Sequence, residues 1–272
     1  MSETNSLERM LGILAAFDEA HLERTPEELM RRLGYSRPTL YRYLKTLKEA
    51  GLIVGVGQAA YTLGPKIVEM DFLLRRADPL VLEGQALLEE LAGRHPGTAF
   101  LSRWYRDRVL CVTSVSSSDE AVSSYPRGRP MPVGRGSTSH AILAFLPRRQ
   151  AIALIDSRLD VYREIGFGAD RDAVLARFRA IRRDGYATAR GEVTPGVVGT
   201  AAPVFDGGKA PIASLCLTMA EGHADAFGAE GLGREVAATA DRLSERLSAH
   251  RILRAAEQPA PDKQRKQRAA AA

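Results

Sequence analysis

Side chains with hydrogen-bond donors recur along one face of the segment 36–50: Arg37, Thr39, Tyr41, Arg42, Lys45 and Lys48. The one acidic residue among them is Glu49. Arginine can donate two hydrogen bonds to a guanine, hydroxyls reach phosphates or base edges, and lysine neutralises phosphates. This chemistry fits the major groove of double-stranded DNA, although a merely solvated helix face has the same composition.

A second candidate site is the sequence GRGSTSHAILAFL, which is typical of a glycine turn entering a helix. Its first turn contains Gly136, Ser137, Thr138 and Ser139. Unpaired backbone N–H groups there can hold a carboxylate, helped by three hydroxyls. Three arginines are close in sequence: Arg127, Arg129 and Arg135. Serine and threonine also cap helices without any ligand, so capping alone and capping with anion binding are both open.

Catalytic and metal sites have less support. The residues Ser137, Ser139 and His140 lack the GxSxG elbow, and neighbours on one helix do not make a nucleophile and base pair. The five histidines have no HExxH spacing. Cys111 and Cys216 lie far apart without CxxC spacing, so we interpret them as reduced packing residues. We expect no enzyme activity, no cofactor and no metal.

Three predicted helices and a hairpin position the basic face, which lies on the third helix. Apolar residues at helical spacing predict a first helix over residues 6–20, capped by Asn5 or Ser6. A second helix starts at Thr25, with Pro26 in its first turn and Glu28 completing a capping box, and it ends at Gly34. Ser36 is the expected cap of the third helix, which ends at Gly51 and buries Leu40, Tyr43, Leu44 and Leu47.

The third helix and the chain after it predict a winged helix-turn-helix. Two helices joined by a tight glycine-containing turn form the helix-turn-helix. After Gly51 the sequence LIVGVGQAAYTLG contains two β-prone runs around a turn, which predicts a wing. We assign residues 1–64 to this DNA-binding domain. Residues 65–79 are predicted to be a linker helix, with Ile67, Met70 and Leu74 on one face.

Residues 80–250 are predicted to form an α+β domain with an antiparallel sheet. Residues 98–117 resemble a hairpin, and the strand-like runs YATARGE, VVGTAAPVFD and PIASLCLTMA follow a helix that ends at Gly185. Leu232, Val236, Leu243 and Leu247 define a closing helix. Residues 251–272 hold six basic and two acidic residues, so four of the five excess positive charges lie there. We expect this segment to be a disordered basic tail.

The composition is that of a soluble two-domain protein. The chain has 272 residues, 45% of them hydrophobic and 26% charged. The polar start MSETNSLERM and the lack of a run of roughly 20 apolar residues predict no signal peptide, no transmembrane helix and a cytoplasmic location. Because the excess charge lies mostly in the tail, net charge is weak support for DNA binding.

These motifs resemble the IclR family of bacterial transcriptional regulators. The resemblance rests on SLERMLGIL, RRLGYSRPTLYRYLKTLKEAGLI, YTLGPKIVEM and GYATARGEVTPGVVGTAAPVFD, and it covers about residues 6–250. It implies a GAF-like effector-binding domain, a homodimer or homotetramer on a two-fold related operator, and control by a small molecule, in the family often a small organic or aromatic acid. A winged helix that binds proteins, or a sensor without a specific operator, is the alternative.

The resemblance also implies which residues form the two sites. The DNA-binding residues would be Arg37, Pro38, Thr39, Tyr41 and Arg42, and our reading of the basic face adds Lys45. The effector-binding residues would be Gly136, Ser137, Thr138, Ser139, Gly199, Cys216 and Thr218. Relatives often have a small polar residue where Pro38 stands, which predicts an altered operator preference. They often have Cys at the position of Gly199 and Ser at that of Cys216, which predicts a less polar pocket.

Overall fold

A computed structural model describes residues 5–57, 59–117 and 125–257, and the chain divides into two compact units between Asp78 and Pro79. The first unit contains, in order, α1 Ser6–Leu14, α2 Pro26–Leu33, α3 Arg37–Glu49, β1 Ile53–Val56, β2 Ala60–Leu63 and α4 Pro65–Ala77. β1 and β2 pair antiparallel from Ile53 with Leu63 to Val56 with Ala60, which forms the expected wing. The winged helix-turn-helix prediction is therefore confirmed.

The caps explain where these helices begin and end. Asn5 and Glu8 form a capping box at α1, and Thr25 and Glu28 form one at α2. Gly34 ends α2 in the left-handed conformation with φ of 68°. Ser36 precedes α3 as expected, but its hydroxyl donates to the Thr39 hydroxyl at 3.0 Å and accepts no capping hydrogen bond from a backbone N–H.

The first helix is shorter than predicted. It ends at Leu14, whereas the apolar spacing predicted a helix to residue 20. The chain then turns, because the Asp18 carboxylate accepts from the Ala20 N–H at 3.1 Å and from His21 at 2.8 Å. Arg24 Nε donates to the Ala16 carbonyl at 3.2 Å, so side chains satisfy backbone groups that a longer helix would pair internally.

The second unit is built on one antiparallel sheet. Its elements are α5 Pro79–Arg94, β3 Thr98–Tyr105, β4 Arg108–Ser116, β5 Pro130–Met131, α6 Ser137–Leu143, α7 Arg148–Asp156, α8 Leu159–Glu164, α9 Arg171–Asp184, β6 Ala187–Arg190, β7 Val197–Val204, β8 Ala213–Ala220, α10 Glu221–Phe227 and α11 Ala229–Glu257. The strand order is β5-β4-β3-β8-β7-β6. The predicted α+β class is confirmed, while the likeness to GAF domains stays a prediction.

Helices cover both faces of this sheet. One core joins α5 and α11 to side chains such as Leu215 and Leu217 of β8. The other joins α6 to α9 with the opposite face, to which Phe100 of β3 and Cys216 of β8 belong. Alternate residues of a strand point to opposite faces of the sheet, and helices cover both faces. Every residue of β7 is therefore buried. α6 lies directly against β7 and β8, and this contact forms the pocket described below.

The predicted boundaries need two corrections at the ends of segments. α4 ends at Ala77 and α5 starts at Pro79, so the linker helix is two residues shorter than the range 65–79. Its role as a linker stays a prediction. α11 continues to Glu257, so residues 251–257 are helical and do not belong to a tail. The remainder of the predicted tail, residues 258–272, lies outside the described residues.

Candidate DNA-binding surface and effector pocket

The donor-rich face of α3 is exposed. Exposed side chains on it are Arg37, Pro38, Tyr41, Arg42, Lys45 and Lys48, while Thr39 is half-buried. The Arg37 guanidinium lies 5.6 Å from the Tyr41 ring centroid, and Lys45 is 3.9 Å from Glu49. Surface pairs of this kind are weak, so both cations can turn toward phosphates. The structure thus brings all six predicted DNA-binding residues to one helix.

The opposite face of α3 fixes this orientation. The four predicted apolar residues Leu40, Tyr43, Leu44 and Leu47 are all buried. The hydroxyls of Tyr43 and Ser6 are 2.9 Å apart and share a hydrogen bond, which joins α3 to α1. Since the apolar stripe is locked in the core, the basic stripe must face outward. Pro38 lies in the first turn of α3, where the absent N–H breaks no helical bond.

Arg24 is a basic residue of this unit that does not reach the surface. It is 7% exposed, its Nε bonds to the Ala16 carbonyl, and its backbone pairs with Tyr61 of the wing through two 2.9 Å hydrogen bonds. Sequence reasoning missed this role because no spacing distinguishes a buried arginine from an exposed one.

The second site is a pocket between α6 and the sheet. It is lined by six of the seven predicted effector-binding residues: Gly136, Ser137, Thr138, Gly199, Cys216 and Thr218. Thr218 and Gly199 are direct neighbours across β7 and β8, and Cys216 is paired with Phe100 across β8 and β3. The seventh residue, Ser139, is not in the lining, because its hydroxyl points away and accepts from the Gly134 N–H at 2.7 Å.

Hydroxyl and thiol groups form the polar side of the pocket. Ser137 Oγ lies 3.6 Å from Cys216 Sγ, and Thr218 Oγ1 donates to the Thr98 carbonyl at 3.2 Å. Burial raises the pKa of Cys216 to about 11 and that of Cys111 to about 12. Both cysteines are buried and form no disulfide, and Cys216 also lines the pocket; their role as reduced packing residues stays a prediction. The thiols are therefore neutral near pH 7 and act as small, weakly polar groups.

Aromatic and apolar side chains form the rest of the lining. The rings of Phe100 and Tyr125 stack with centroids 4.3 Å apart, and Met131 and Val197 line the pocket with them. The cavity volume is only about 30 Å³. This is room for roughly two waters, so a larger occupant requires part of the wall to move.

The three arginines near this site have different surroundings. Arg135 lines the pocket and forms a 2.6 Å ion pair with Glu164. The Arg129 guanidinium lies 5.8 Å from the Tyr125 ring centroid. Arg127 donates to the Val112 carbonyl. Only Arg135 is therefore a lining residue of the pocket among the three.

Glu192 is a site residue that sequence reasoning missed. Its carboxylate accepts from the Gly136 N–H at 2.8 Å, which is one of the amides predicted to hold a ligand carboxylate. The pKa of Glu192 is raised, chiefly by burial. Beside it, His140 is fully buried and its Nε2 lies 3.7 Å from Glu192 Oε2. The available signal was an acidic residue in a glycine-bounded loop, RGEVTPG, far from Gly136 in sequence.

In the parts of the chain that the structure describes, no three His, Cys, Asp or Glu side chains are grouped so that they could hold a metal ion. No helix among those residues is long and apolar enough to cross a membrane.

Family models match both units of the chain. A model described as the IclR helix-turn-helix domain matches residues 6–57, and one described as the bacterial transcriptional regulator IclR C-terminal domain matches residues 76–245. The chain belongs to the IclR family. It is therefore a DNA-binding transcriptional regulator and not an enzyme, as predicted.

Relatives and solved structures agree with this assignment. The transcriptional regulator XynR of Escherichia coli is 26% identical over 221 residues, which cover 81% of this chain and 88% of that protein. An IclR regulator from Alicyclobacillus acidocaldarius has a TM-score of 0.75 at 22% identity, covering 89% of this chain and 98% of that one. An IclR homolog from Microbacterium hydrocarbonoxydans, complexed with 4-hydroxybenzoate, has a TM-score of 0.73 at 20% identity, covering 90% and 100%.

Proposed function

We propose that this IclR-family regulator reads a two-fold related DNA operator with α3 and that a small carboxylic acid in the pocket controls its DNA affinity. The observation that carries the proposal is the pocket itself, where six residues expected from the family resemblance line one space between α6 and the sheet. A regulator of this kind acts on the chromosome, so we propose a cytoplasmic location.

The exposed face of α3 supports specific roles in DNA binding. Arg42 and Arg37 have the planar donor groups that pair bidentately with guanine. Lys45 has a flexible cation suited to phosphate, and Tyr41 and Thr39 offer hydroxyls. Pro38 has no side-chain donor, so the operator base facing this position is read by shape or by its neighbours.

The lining of the pocket supports a small aromatic acid as the effector. The stacked Phe100 and Tyr125 rings offer a flat apolar wall. Ser137 and Thr138 offer hydroxyls, and the Arg135 guanidinium offers a charge partner for a carboxylate. The bound 4-hydroxybenzoate of the structural relative belongs to the same chemical class. Gly199 has no side chain, and Cys216 has a thiol where relatives often have a serine hydroxyl. This side of the pocket is therefore less polar than it would be with that hydroxyl.

Exposed apolar pairs on two helices support assembly with a second copy of the chain. Leu7 and Leu11 of α1 are 62% and 54% exposed, and Val68 and Phe72 of α4 are 72% and 56% exposed. Each pair has i, i+4 spacing, which places it on one face of its helix. We propose that these faces pack against those of a partner copy, so that two α3 helices meet two half-sites. In this arrangement α4 links the two units of each copy.

The test uses the full chain and a DNA fragment selected from random sequence for binding to it. Binding is titrated by mobility shift with benzoate, 4-hydroxybenzoate and, as a control, benzyl alcohol, which has the ring without the carboxylate. We expect specific binding and a shift of the apparent Kd with the acids only. Specific binding that no acid changes would contradict acid control, and failure to select any sequence would contradict the operator.

A further inference from the structure

The loop that joins β6 to β7, residues 191–196, forms one wall of the pocket. Glu192, Val193 and Thr194 belong to the pocket lining. Gly191 and Gly196 at the two ends have φ of 65° and 75°. Because this left-handed backbone is open to glycine at little cost, both ends are points where the loop can change direction. The ends themselves are bonded to the sheet side, through Gly191 N–H to the Val197 carbonyl at 2.9 Å and Glu221 N–H to the Gly196 carbonyl at 3.0 Å.

The middle of the loop is held against the chain just before α6. The Glu192 carboxylate accepts from the Gly136 N–H at 2.8 Å, and Arg135 donates to the Glu192 carbonyl at the long distance of 3.5 Å. Val193 lies over Gly136, since a Cβ atom there would be 2.8 Å from Val193 Cγ2. Because Gly136 has no side chain, Val193 can pack over it, and the Gly136 N–H donates to Glu192. These two contacts hold the loop against the chain before α6.

Burial raises the pKa of Glu192 more than the charges of Arg135 and Arg177 lower it, so the carboxylate is incompletely compensated in this position. Its side chain is 13% exposed, and burial raises its pKa. Arg135 is already paired with Glu164. His140 is close, but burial lowers its pKa to about 4, so it is neutral near pH 7 and does not balance the charge. A buried carboxylate with one backbone donor is more easily released than one held by a guanidinium.

The size of the pocket connects this contact to ligand entry. The cavity of about 30 Å³ cannot enclose an aromatic ring while the loop is in this position. The other walls are strands, α6 and the segment 125–136 before it, whose Tyr125 and Met131 belong to the packed core. The loop is instead held by the Glu192 and Val193 contacts. The loop is thus the wall with the least resistance to movement.

We propose that Glu192 is the latch of the effector pocket: an entering acid displaces its carboxylate from Gly136, and the loop 191–196 opens in the same event. The acid repels Glu192 and competes for the Gly136 N–H and the Arg135 guanidinium. Glu192 then also selects the effector, because a neutral molecule lacks the charge that drives it out. The inference rests on the proposed acid effector, and the two can fail separately.

The first test measures amide hydrogen exchange in the full chain without any ligand. Glu192→Ala removes the latch, and we expect exchange in residues 191–196 and at Gly136 to rise about tenfold, because this contact limits local opening. Glu192→Gln keeps an acceptor oxygen and should show a smaller rise. Glu89→Ala, which removes an exposed carboxylate on α5, is the matched control. Exchange at the wild-type rate in Glu192→Ala overturns the latch whatever the effector is.

The second test titrates the same proteins with benzoate by calorimetry and repeats the exchange with benzoate present. We expect Glu192→Gln to bind about tenfold more tightly than wild type, because the open pocket is more populated. Benzoate should also raise loop exchange in the wild type. Equal Kd values and unchanged loop exchange overturn the latch but leave acid control intact. Absence of binding by every variant overturns acid control and the displacement step, while the first test still reports on the contact.

Discussion

Gly199 of β7 and Ser137 of α6 approach so closely that a Cβ atom at position 199 would lie 2.7 Å from Ser137 Oγ. The same Cβ would lie 3.4 Å from Thr218 Cγ2, which is ordinary contact. The missing side chain of Gly199 therefore makes room for the Ser137 hydroxyl, which in turn lies 3.6 Å from Cys216 Sγ. The departures from the family pattern at 199 and 216 belong to one packing arrangement around Ser137.

This arrangement predicts that Gly199→Ala is destabilising. The added methyl group forces the Ser137 hydroxyl to move and should cost about 1 to 3 kcal/mol, as overpacking in a closed core does. Ser137→Ala removes the clashing oxygen, while the Ser137 Cβ would stay 3.8 Å from the new Cβ. The double variant should therefore recover most of the loss. Urea denaturation of the four proteins measures this coupling, and simple additivity would contradict it.

Because Arg42 lies on the exposed basic face of α3, we expect Arg42→Ala to lose operator affinity. The exposed guanidinium of Arg42 should contribute about 1 to 3 kcal/mol if it reads a base or a fixed phosphate. Arg179→Ala, which removes an exposed arginine from α9 in the other unit, is the matched control and should bind normally. Mobility-shift titration on the selected operator compares them. Equal affinity of Arg42→Ala and wild type would remove Arg42 from the interface.

The N-terminal unit shows what a sequence predicts well. The caps at Thr25 and Gly34 and the stripe from Leu40 to Leu47 are local patterns, so α2 and α3 follow from short-range rules. Apolar spacing predicts too long a first helix, because Phe17 continues the spacing although α1 ends at Leu14. The Asp18 contacts are local, but Arg24 is placed by its backbone pairing with Tyr61 of the wing, which apolar spacing does not reveal.

The pocket shows where the sequence is insufficient. The sequence predicts Ser137 and Thr138, because hydroxyls at a glycine turn have a recognisable chemistry, and the family resemblance adds Gly199. Glu192 is 56 residues from Gly136 along the chain, and its contact exists only because α6 and the loop after β6 meet. A residue that binds the protein's own backbone has no distinguishing pattern in one sequence.

We expect Arg24→Ala, unlike Arg42→Ala, to affect the stability of the first unit more than its DNA binding. Arg24→Ala removes the bond to the Ala16 carbonyl inside the first unit and should lower the stability of that unit by about 1 to 3 kcal/mol. At temperatures where the variant is folded, operator affinity should fall less than in Arg42→Ala. Circular dichroism melting and mobility shift measure the two effects. A loss of affinity with an unchanged melting temperature would place Arg24 at the DNA.

We expect a dimer that packs through the exposed apolar faces of α1 and α4. A charged residue on either face should disrupt it. Phe72→Glu and Leu11→Glu each place a carboxylate where an apolar partner surface is expected, so both should shift the protein toward monomer and weaken operator binding. Leu22→Glu changes an apolar residue that is 69% exposed but lies outside both helices, and should leave the dimer intact. Sedimentation velocity decides the question. Dimers in both variants would place the interface elsewhere.

His140 predicts a pH dependence of stability with a defined sign. Its folded pKa is about 4 because of burial, whereas an unfolded histidine titrates near about 6.5. Between these values the unfolded chain binds more protons, so the free energy of unfolding falls as the pH drops from about 6.5 to about 4. Above about pH 6.5 the contribution of His140 to the free energy of unfolding is fully present and constant. From about pH 7 to about pH 5 the loss from this group should be about 2 kcal/mol.

The measurement compares Glu192→Gln with Glu192→Gln/His140→Phe, because the nearby Glu192 carboxylate titrates in the opposite sense and is removed from both. Phenylalanine keeps a ring for Phe167, whose centroid lies 4.0 Å from that of His140. Other histidines, such as His95 beside Glu235, are common to both proteins and cancel in the difference. The urea midpoint of Glu192→Gln should fall further from about pH 7 to about pH 5 than that of the double variant, since only the protein with His140 carries the penalty. Parallel curves of urea midpoint against pH would show that the pKa of His140 in the folded protein is close to that of an unfolded histidine.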